Sequence, residues 1–386
     1  MGLKVISTNE AVPGMIVSQD IYTFNNQLLI GARTPLTDRI ITRLKFYAIS
    51  KIEIIEENES TQSTDSTPQS NEGSIHNATS TNTVKQQSVT PAQAFESHKD
   101  EVLNSPEFQN FSESYDNFTD EFKSSLDDIF SGGKDVNTTK LLLQVNSVLK
   151  ESRTSLHLLD MLQVMRDHSD HTYHHSTNVA LICNVIAKWL NFSEKECATL
   201  TLCGLLHDIG KLEIPSEILD KPSALTPEEF DIVKTHTTKG YQILKSKNVD
   251  DHIKYAALMH HERCDGSGYP NQYLGRSIDS YAKIVAIADT YDAMTCERPY
   301  RGPLCPFEVI EFFEFEGLQK FDPKYLLTFL NGIVQSYQGN TILLSNGQKG
   351  KILMTNKNYL SRPVVSVGNS FIDLAARSDL SIKAII

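Results

Sequence analysis

Hydrophobic and polar positions along this chain fall into distinct regimes. Over residues 1–57 short apolar runs alternate with turn residues, the pattern of a small α+β module. Val12-Pro13-Gly14 predicts a turn, Met15 to Ile21 a strand, and Asn25-Asn26 a hairpin turn feeding a strand from Leu28 to Ile30. Ile40, Ile41, Leu44 and Ala48 share one face of a helix predicted over Leu36 to Tyr47, and Ile52 to Ile55 closes the module as a strand. From Asn58 to about Ala94 large apolar residues nearly vanish among Ser, Thr, Asn and Gln. Such a stretch buries too little surface to offset its conformational entropy, so a disordered linker is expected. Residues 95–135 are acidic with scattered Phe95, Phe108, Phe111, Phe118, Phe122 and Phe130. The spacing of Phe111, Phe118 and Phe122 allows a weak amphipathic helix able to dock on a neighbour; the segment is grouped with the linker, 58–135.

From Thr138 to about Tyr337 the period becomes helical. Leu141, Leu142, Val145, Val148 and Leu149 keep that spacing, as do Leu158, Leu159, Leu162 and Met165. Further helices are expected over Tyr173 to Ala187, Ser193 to Ile209, Pro227 to Leu244, from about His252 to His260-His261, and over Ala282 to Met294. Ser193 with Glu196, and Thr226-Pro227 with Glu229, carry capping-box start signals, and Gly210 marks an expected end. Short β runs return over 338–386, at Ile342 to Leu344, Ile352 to Met354, Val364-Val365 and Ile382 to Ile386, with a turn at Asn346-Gly347. The fold class is therefore mainly α. An all-helical domain over 136–337 is flanked by small β-rich modules at the two ends, 1–57 and 338–386.

Composition narrows the chemistry. The 386 residues carry 36 basic against 48 acidic side chains, a net charge of −12, which argues against general DNA or RNA binding. An anionic substrate would have to be attracted locally, by bound metal and a few Lys or Arg. The six cysteines form no CxxC pair and no zinc-finger spacing, so they are expected reduced. No segment reaches the roughly 18 apolar residues of a membrane span, and no signal-peptide core opens the chain. A cytoplasmic protein is expected.

Ten of the twelve histidines fall between 157 and 261, far from evenly. His175, His207, Asp208, His236, His260, His261 and Asp289 each lie on or beside a predicted helix. Helices converging on one core can project such side chains inward, as dimetal bundles do. A lone His236 would ordinarily be a satisfied histidine. Adjacent His260-His261 are harder to dismiss, because two buried imidazoles without partners carry a large desolvation cost. Imidazoles with carboxylates suit divalent transition metals.

Six motifs occur in order: YHHSTNVA (173–180), LLHDIGKLEIP (205–215), His236 with Gly240-Tyr241, HHERCDGSGYP (260–270), ADTYDAM (288–294) and RPYR (298–301). Together they closely resemble the HD-GYP domain, a subgroup of the HD phosphohydrolase superfamily, over about residues 138–336. The resemblance implies an all-α domain with a bi- or trinuclear metal centre that hydrolyses cyclic di-GMP to linear pGpG, or onward to GMP. One ion would take His175, His207, Asp208 and Asp289; the other would take Asp208 as bridge with His236, His260 and His261. His171, one turn before His175, and Asp292, one turn after Asp289, are left between a metal role and a supporting one. Iron or manganese is favoured, with zinc and nickel open.

In that reading a metal-bridging hydroxide held partly by Asp208 attacks phosphorus, and Lys211, expected four residues along the same helix from His207, reaches a phosphate oxygen. Asp265, Gly268, Tyr269 and Pro270 would form a substrate loop, Tyr269 offering a ring to a base. Arg298, Tyr300 and Arg301 would supply further contacts to the nucleotide. Two alternatives stay open: a 3′3′-cyclic GMP-AMP phosphodiesterase, and a nucleotide-sensing scaffold that binds a diguanylate cyclase. The Leu-rich helices at 138–166 are compatible with a homodimer.

Overall fold

The computed structural model describes residues 2–22, 28–37, 40, 41, 43, 44, 49, 51–56, 102–131, 135–165, 171–221, 223, 225–296 and 304–386. The expected linker at 58–94, the turn at Asn25-Asn26, and Arg298, Tyr300 and Arg301 lie outside them, as do six of the twelve residues of the helix predicted over Leu36 to Tyr47. At the N-terminal end strands β1 (Gly2–Ser7), β2 (Ile16–Val17) and β5 (Lys51–Glu56) form an antiparallel sheet of order β1-β5-β2. β3 (Ile21–Tyr22) and β4 (Leu28–Ile30) pair separately. β1 was not expected, because Leu3 and Val5 face solvent and leave it no clean inward-apolar alternation. The strand expected from Met15 to Ile21 is interrupted into β2 and β3. Ile6, Val17, Leu29, Leu36, Leu44 and Ile54 make this module's own small core.

The helical part opens with α1 (Pro106–Ser131), α2 (Thr138–Lys150) and α3 (Ser155–Met165), continues with α4 (His171–Trp189) and α5 (Glu194–Leu206), and then takes a 3₁₀ turn, Ile209–Glu213. Short α6 (Ser216–Leu219) and α7 (Pro227–Lys234) precede α8 (His236–Lys245), α9 (Asp251–Met259) and α10 (Ser280–Thr295). α11 (Pro306–Phe312), a π-helical turn (Phe313–Gly317), α12 (Leu318–Lys320) and α13 (Pro323–Ser336) complete it. Every residue of α4 from Ser176 to Ala187 is buried, as are most of α10, so these two run through the middle of the bundle. A helix apolar on nearly all sides has no solvated face to offer. α4 packs against α5 and α10, and α9 packs against α5, α8 and α10.

Two boundaries expected from the sequence are drawn differently by the packing. Within the acidic phenylalanine segment, Pro106–Ser131 form the 26-residue helix α1, whose Phe111, Tyr115, Phe118 and Phe122 are buried in the same core as α4. Its polar residues face outward, which is why the segment reads as linker until a partner surface is present. The expected single helix from Pro227 to Leu244 breaks at Thr235 into α7 and α8.

At the C-terminal end β6 (Thr341–Leu344), β7 (Lys349–Met354), β8 (Val364–Val367), β9 (Ser370–Asp373) and β10 (Ile382–Ile385) form one antiparallel sheet of order β10-β6-β7-β8-β9. Ile342, Ile352, Val365 and Ile382 on its inner face belong to the helical core. Three acidic residues spaced by three grip this sheet: Glu308 pairs with Lys383, Glu311 with Arg362, and Glu314 accepts from the Leu360 and Ser361 amides. Among the described residues no helix is long and apolar enough to cross a membrane, and the six cysteines are unpaired.

Because α1 belongs to the helical core, Phe122→Ala is expected to destabilise the whole helical unit by about 3 kcal/mol, the usual cost of emptying a buried ring site. Urea denaturation followed by the single tryptophan, Trp189 in α4, measures it. An unchanged midpoint would return α1 to the linker.

Candidate metal centre

α5 ends at Leu206 rather than near Gly210, and His207 caps it. Asp208 then leaves helical geometry, with φ −100 and ψ 10, and the chain tightens into the 3₁₀ turn. A Cβ at Gly210 would lie 1.9 Å from the His236 carbonyl oxygen, so the missing side chain lets α8 press directly on this turn. That contact brings His236, the first residue of α8, over Asp208. His260 and His261 follow directly on α9, and Asp289 projects from the buried middle of α10.

All seven expected side chains therefore converge on one place. Asp208 is the hub. Its Oδ2 lies 3.3 Å from His207 Nε2 and 3.6 Å from His175 Nε2; its Oδ1 lies 3.3 Å from His236 Nε2 and 3.7 Å from His260 Nε2. Two groups of donor atoms share it, His175/His207/Asp208 and Asp208/His236/His260/His261, each within 4.8 Å of one another. Asp289 spans the same two halves, its Oδ1 3.1 Å from His175 Nε2 and its Oδ2 3.8 Å from His261 Nδ1.

The rings are oriented from behind. Nδ1 donates to a backbone carbonyl in His207 (Gly204, 2.7 Å), His236 (Val233, 2.6 Å) and His260 (Ala256, 2.9 Å). A carbonyl oxygen only accepts, so these rings carry hydrogen on Nδ1 and point a bare Nε2 lone pair inward. His236 Nε2 and His260 Nε2 then face each other at 3.2 Å with no proton to share. His207 Nε2 and Asp208 Oδ1 are fully buried and make no hydrogen bond. Inward-facing lone pairs and a carboxylate repel one another unless a cation lies among them. The donor set fits divalent metal ions of the borderline kind.

Protonation agrees with that fit. Burial pushes the His236 imidazolium down to about 4, and holds His260 and His261 well below the usual histidine range. Burial alone would raise Asp208 and Asp289, but the neighbouring His207 ring and the Lys211 ammonium hold Asp208 well below the ordinary carboxylate range, and a hydrogen bond from His175 does so for Asp289. His175 is the exception: burial opposes its charge, yet bonds to Asp289 and Asp292 raise it to about 9. An imidazolium between two carboxylates supplies positive charge that a metal ion would replace.

The remaining expected residues divide. Asp292 Oδ2 bonds His175 Nδ1 at 2.8 Å, so it orients that ring from behind. Lys211 rides the 3₁₀ turn rather than the helix of His207, and its Nζ folds back onto Asp208 Oδ2. The side chain of His171 lies outside the described atoms. In the loop after His261, a Cβ at Gly268 would meet the His261 carbonyl oxygen at 2.4 Å, so Gly268 presses against the ligand-bearing backbone. Tyr269 lies with its ring centroid 4.7 Å from that of His261 at a 31° tilt, and the Tyr269–Pro270 peptide is cis. Asp265 is exposed and accepts from the Ser267 amide and hydroxyl, closing its own loop; nothing turns it toward the donor atoms.

Sequence reasoning missed two supports. Glu262 is buried and accepts from the Asn271 and Tyr273 amides at 2.7 and 2.9 Å, folding the loop over the site. Asp279 caps α10 at the Tyr281 and Ala282 amides and also bonds His252 at 2.7 Å, tying α9 to α10. A carboxylate immediately after His260-His261 was a visible signal for the first; nothing local signals the second.

A family model described as an HD domain matches residues 161–325. This stretch is an HD domain. Over 179 residues the chain is 42% identical to a cyclic di-GMP phosphodiesterase of Thermotoga maritima, covering 45% of this chain and 48% of that protein. A cyclic di-GMP phosphodiesterase of Pseudomonas aeruginosa is 33% identical over 223 residues, covering 57% and 52%. The 3′3′-cGAMP-specific phosphodiesterase 1 of Vibrio cholerae is 40% identical over 179 residues, covering 46% and 42%. The chain thus spans about half the length of these curated relatives. The HD-GYP resemblance drawn from the motifs agrees with them.

Asp208→Ala is expected to abolish stoichiometric metal uptake, and Asp292→Ala to weaken it roughly 10–100-fold, the usual effect of removing a residue that orients a ligand. Elemental analysis of protein dialysed against graded metal buffers measures both. Unchanged metal content in Asp208→Ala would contradict the hub.

Proposed function

We propose that this chain hydrolyses cyclic di-GMP to linear pGpG at a centre of divalent metal ions. The observation that carries the reading is the convergence of four histidine Nε2 atoms on the Asp208 carboxylate, with the bare lone pairs of His236 and His260 facing one another. One ion is assigned His175, His207, Asp208 and Asp289, and the second is assigned Asp208, His236, His260 and His261. Iron or manganese suits imidazoles mixed with carboxylates. Such ions supply Lewis acidity and an activated water at neutral pH.

The chain's own residues do the rest. Asp208 and Asp289 each reach both halves of the centre, so one rigid frame positions both ions relative to one phosphate. Lys211 at the Asp208 carboxylate is a point charge placed to turn to a non-bridging phosphate oxygen. Asp292 keeps the His175 lone pair aimed inward by accepting from its far nitrogen. The Gly268 turn brings backbone close to His261, and Arg298 and Arg301 are assigned to the nucleotide as planar donors. With a net charge of −12, attraction of the anion has to come from this centre and these few cations.

A second reading changes only the substrate, to 3′3′-cyclic GMP-AMP, and is favoured by the 40% identity to the Vibrio cholerae enzyme. Purified full chain loaded with manganese or ferrous ion, given each cyclic dinucleotide and followed by chromatography, tests both. Linear product from cyclic di-GMP, absent in His207→Ala and Asp208→Ala, is expected. Faster cleavage of the mixed dinucleotide would transfer the reading to the second substrate. Absence of product from either would overturn the enzyme.

A further inference from the structure

Helix α7 buries none of its residues, yet it is firmly placed. Thr226 and Glu229 close a full capping box at its start, and Lys221 bonds both Glu229 carboxylate oxygens at 2.7 and 2.6 Å. At its other end the Val233 carbonyl is the acceptor that orients His236. The helix therefore keeps a fixed position relative to the metal donors while remaining on the surface. From it Phe230 reaches across to the loop: its ring centroid is 6.3 Å from that of Tyr269, which in turn lies 4.7 Å from His261. Lys234 holds its ammonium 5.3 Å from the Phe230 centroid and pairs with exposed Asp231 on the same helix. Rings thus step outward from the metal donors to solvent, ending beside a cation in an otherwise acidic protein.

Phe230 is partly buried, on a helix none of whose residues is fully buried. A ring two aromatic steps from the metal donors and beside a lysine is suited to a flat, apolar group attached to a phosphate. Tyr269, expected from the sequence to stack a base, already packs against His261 and Phe230. We infer that Phe230 is a substrate-contacting specificity residue, stacking one base of the cyclic dinucleotide whose phosphodiester lies at the metal centre. This rests on the cyclic-dinucleotide reading above. Nearby Lys234 adds positive charge where the second half of the dianionic ligand would leave the metal centre.

Base–aromatic stacking predicts that Phe230→Ala raises KM for cyclic di-GMP roughly tenfold, with kcat within about twofold and metal content unchanged. Phe230→Tyr keeps a stacking face and is expected to retain wild-type KM. Phe230→Ile fills similar space without a π face and is expected to behave like Phe230→Ala. That pair separates stacking from simple support of Tyr269. Wild-type KM in both Phe230→Ala and Phe230→Ile, or a fall in kcat accompanied by metal loss, would overturn the inference while leaving the enzyme standing. Wild-type protein that turns over no cyclic dinucleotide would sink the functional reading and this inference together.

Discussion

A carboxylate buried among inward-facing imidazole lone pairs governs this structure. Asp208 is almost wholly removed from water, and one of its oxygens makes no hydrogen bond. Burying an ionised group without compensation is costly, and placing acceptor against acceptor adds repulsion. The chain offers partial relief from its own cations, Lys211 on Asp208 and a protonated His175 held by Asp289 and Asp292. Complete relief requires cations where the two donor groups meet, so folding and metal binding are coupled at this point. The far nitrogens of His175, His207, His236 and His260 are committed to a carboxylate or a carbonyl, which keeps these rings from rotating away.

Holding such a frustrated arrangement demands a stiff scaffold, and the packing supplies it. α4 and α10 are buried almost throughout, so the helices carrying His175 and Asp289 have little freedom to shift. Gly210 allows α8 to touch the turn after Asp208, and Asp279 joins the ends of α9 and α10. Glu262 folds the glycine-rich loop back over His261. None of these groups needs to touch a substrate; their work is to hold the donor atoms in place.

The scaffold also extends beyond the HD match. One apolar core runs from Phe108 in α1 to Ile385 in β10, enclosing residues 161–325 on both sides. The C-terminal sheet is fastened to α11 and the π-helical turn by a row of acidic residues, so it moves with the helical bundle. The N-terminal module has its own core and joins this body through Arg43, whose guanidinium pairs with Glu316 on the π-helical turn.

That these His and Asp side chains would gather was legible in the sequence, because clustered His and Asp in helical contexts are rarely chosen for packing. The helical class and the capping boxes at Ser193 and Thr226 were legible for a similar reason: they are local, written within a few residues. Burial is not local. The α1 phenylalanines look like linker until α4 is beside them, and Lys211 looks helical until the close approach of α8 meets the turn after Asp208. Nothing in the pattern of α7 marks Phe230; its position beside Tyr269 arises from two segments far apart in the chain. The amino-acid order thus determined which chemical groups are available and which segments coil. Only the folded packing decided which lone pairs face one another, because distance and orientation between remote segments depend on every side chain that lies between them.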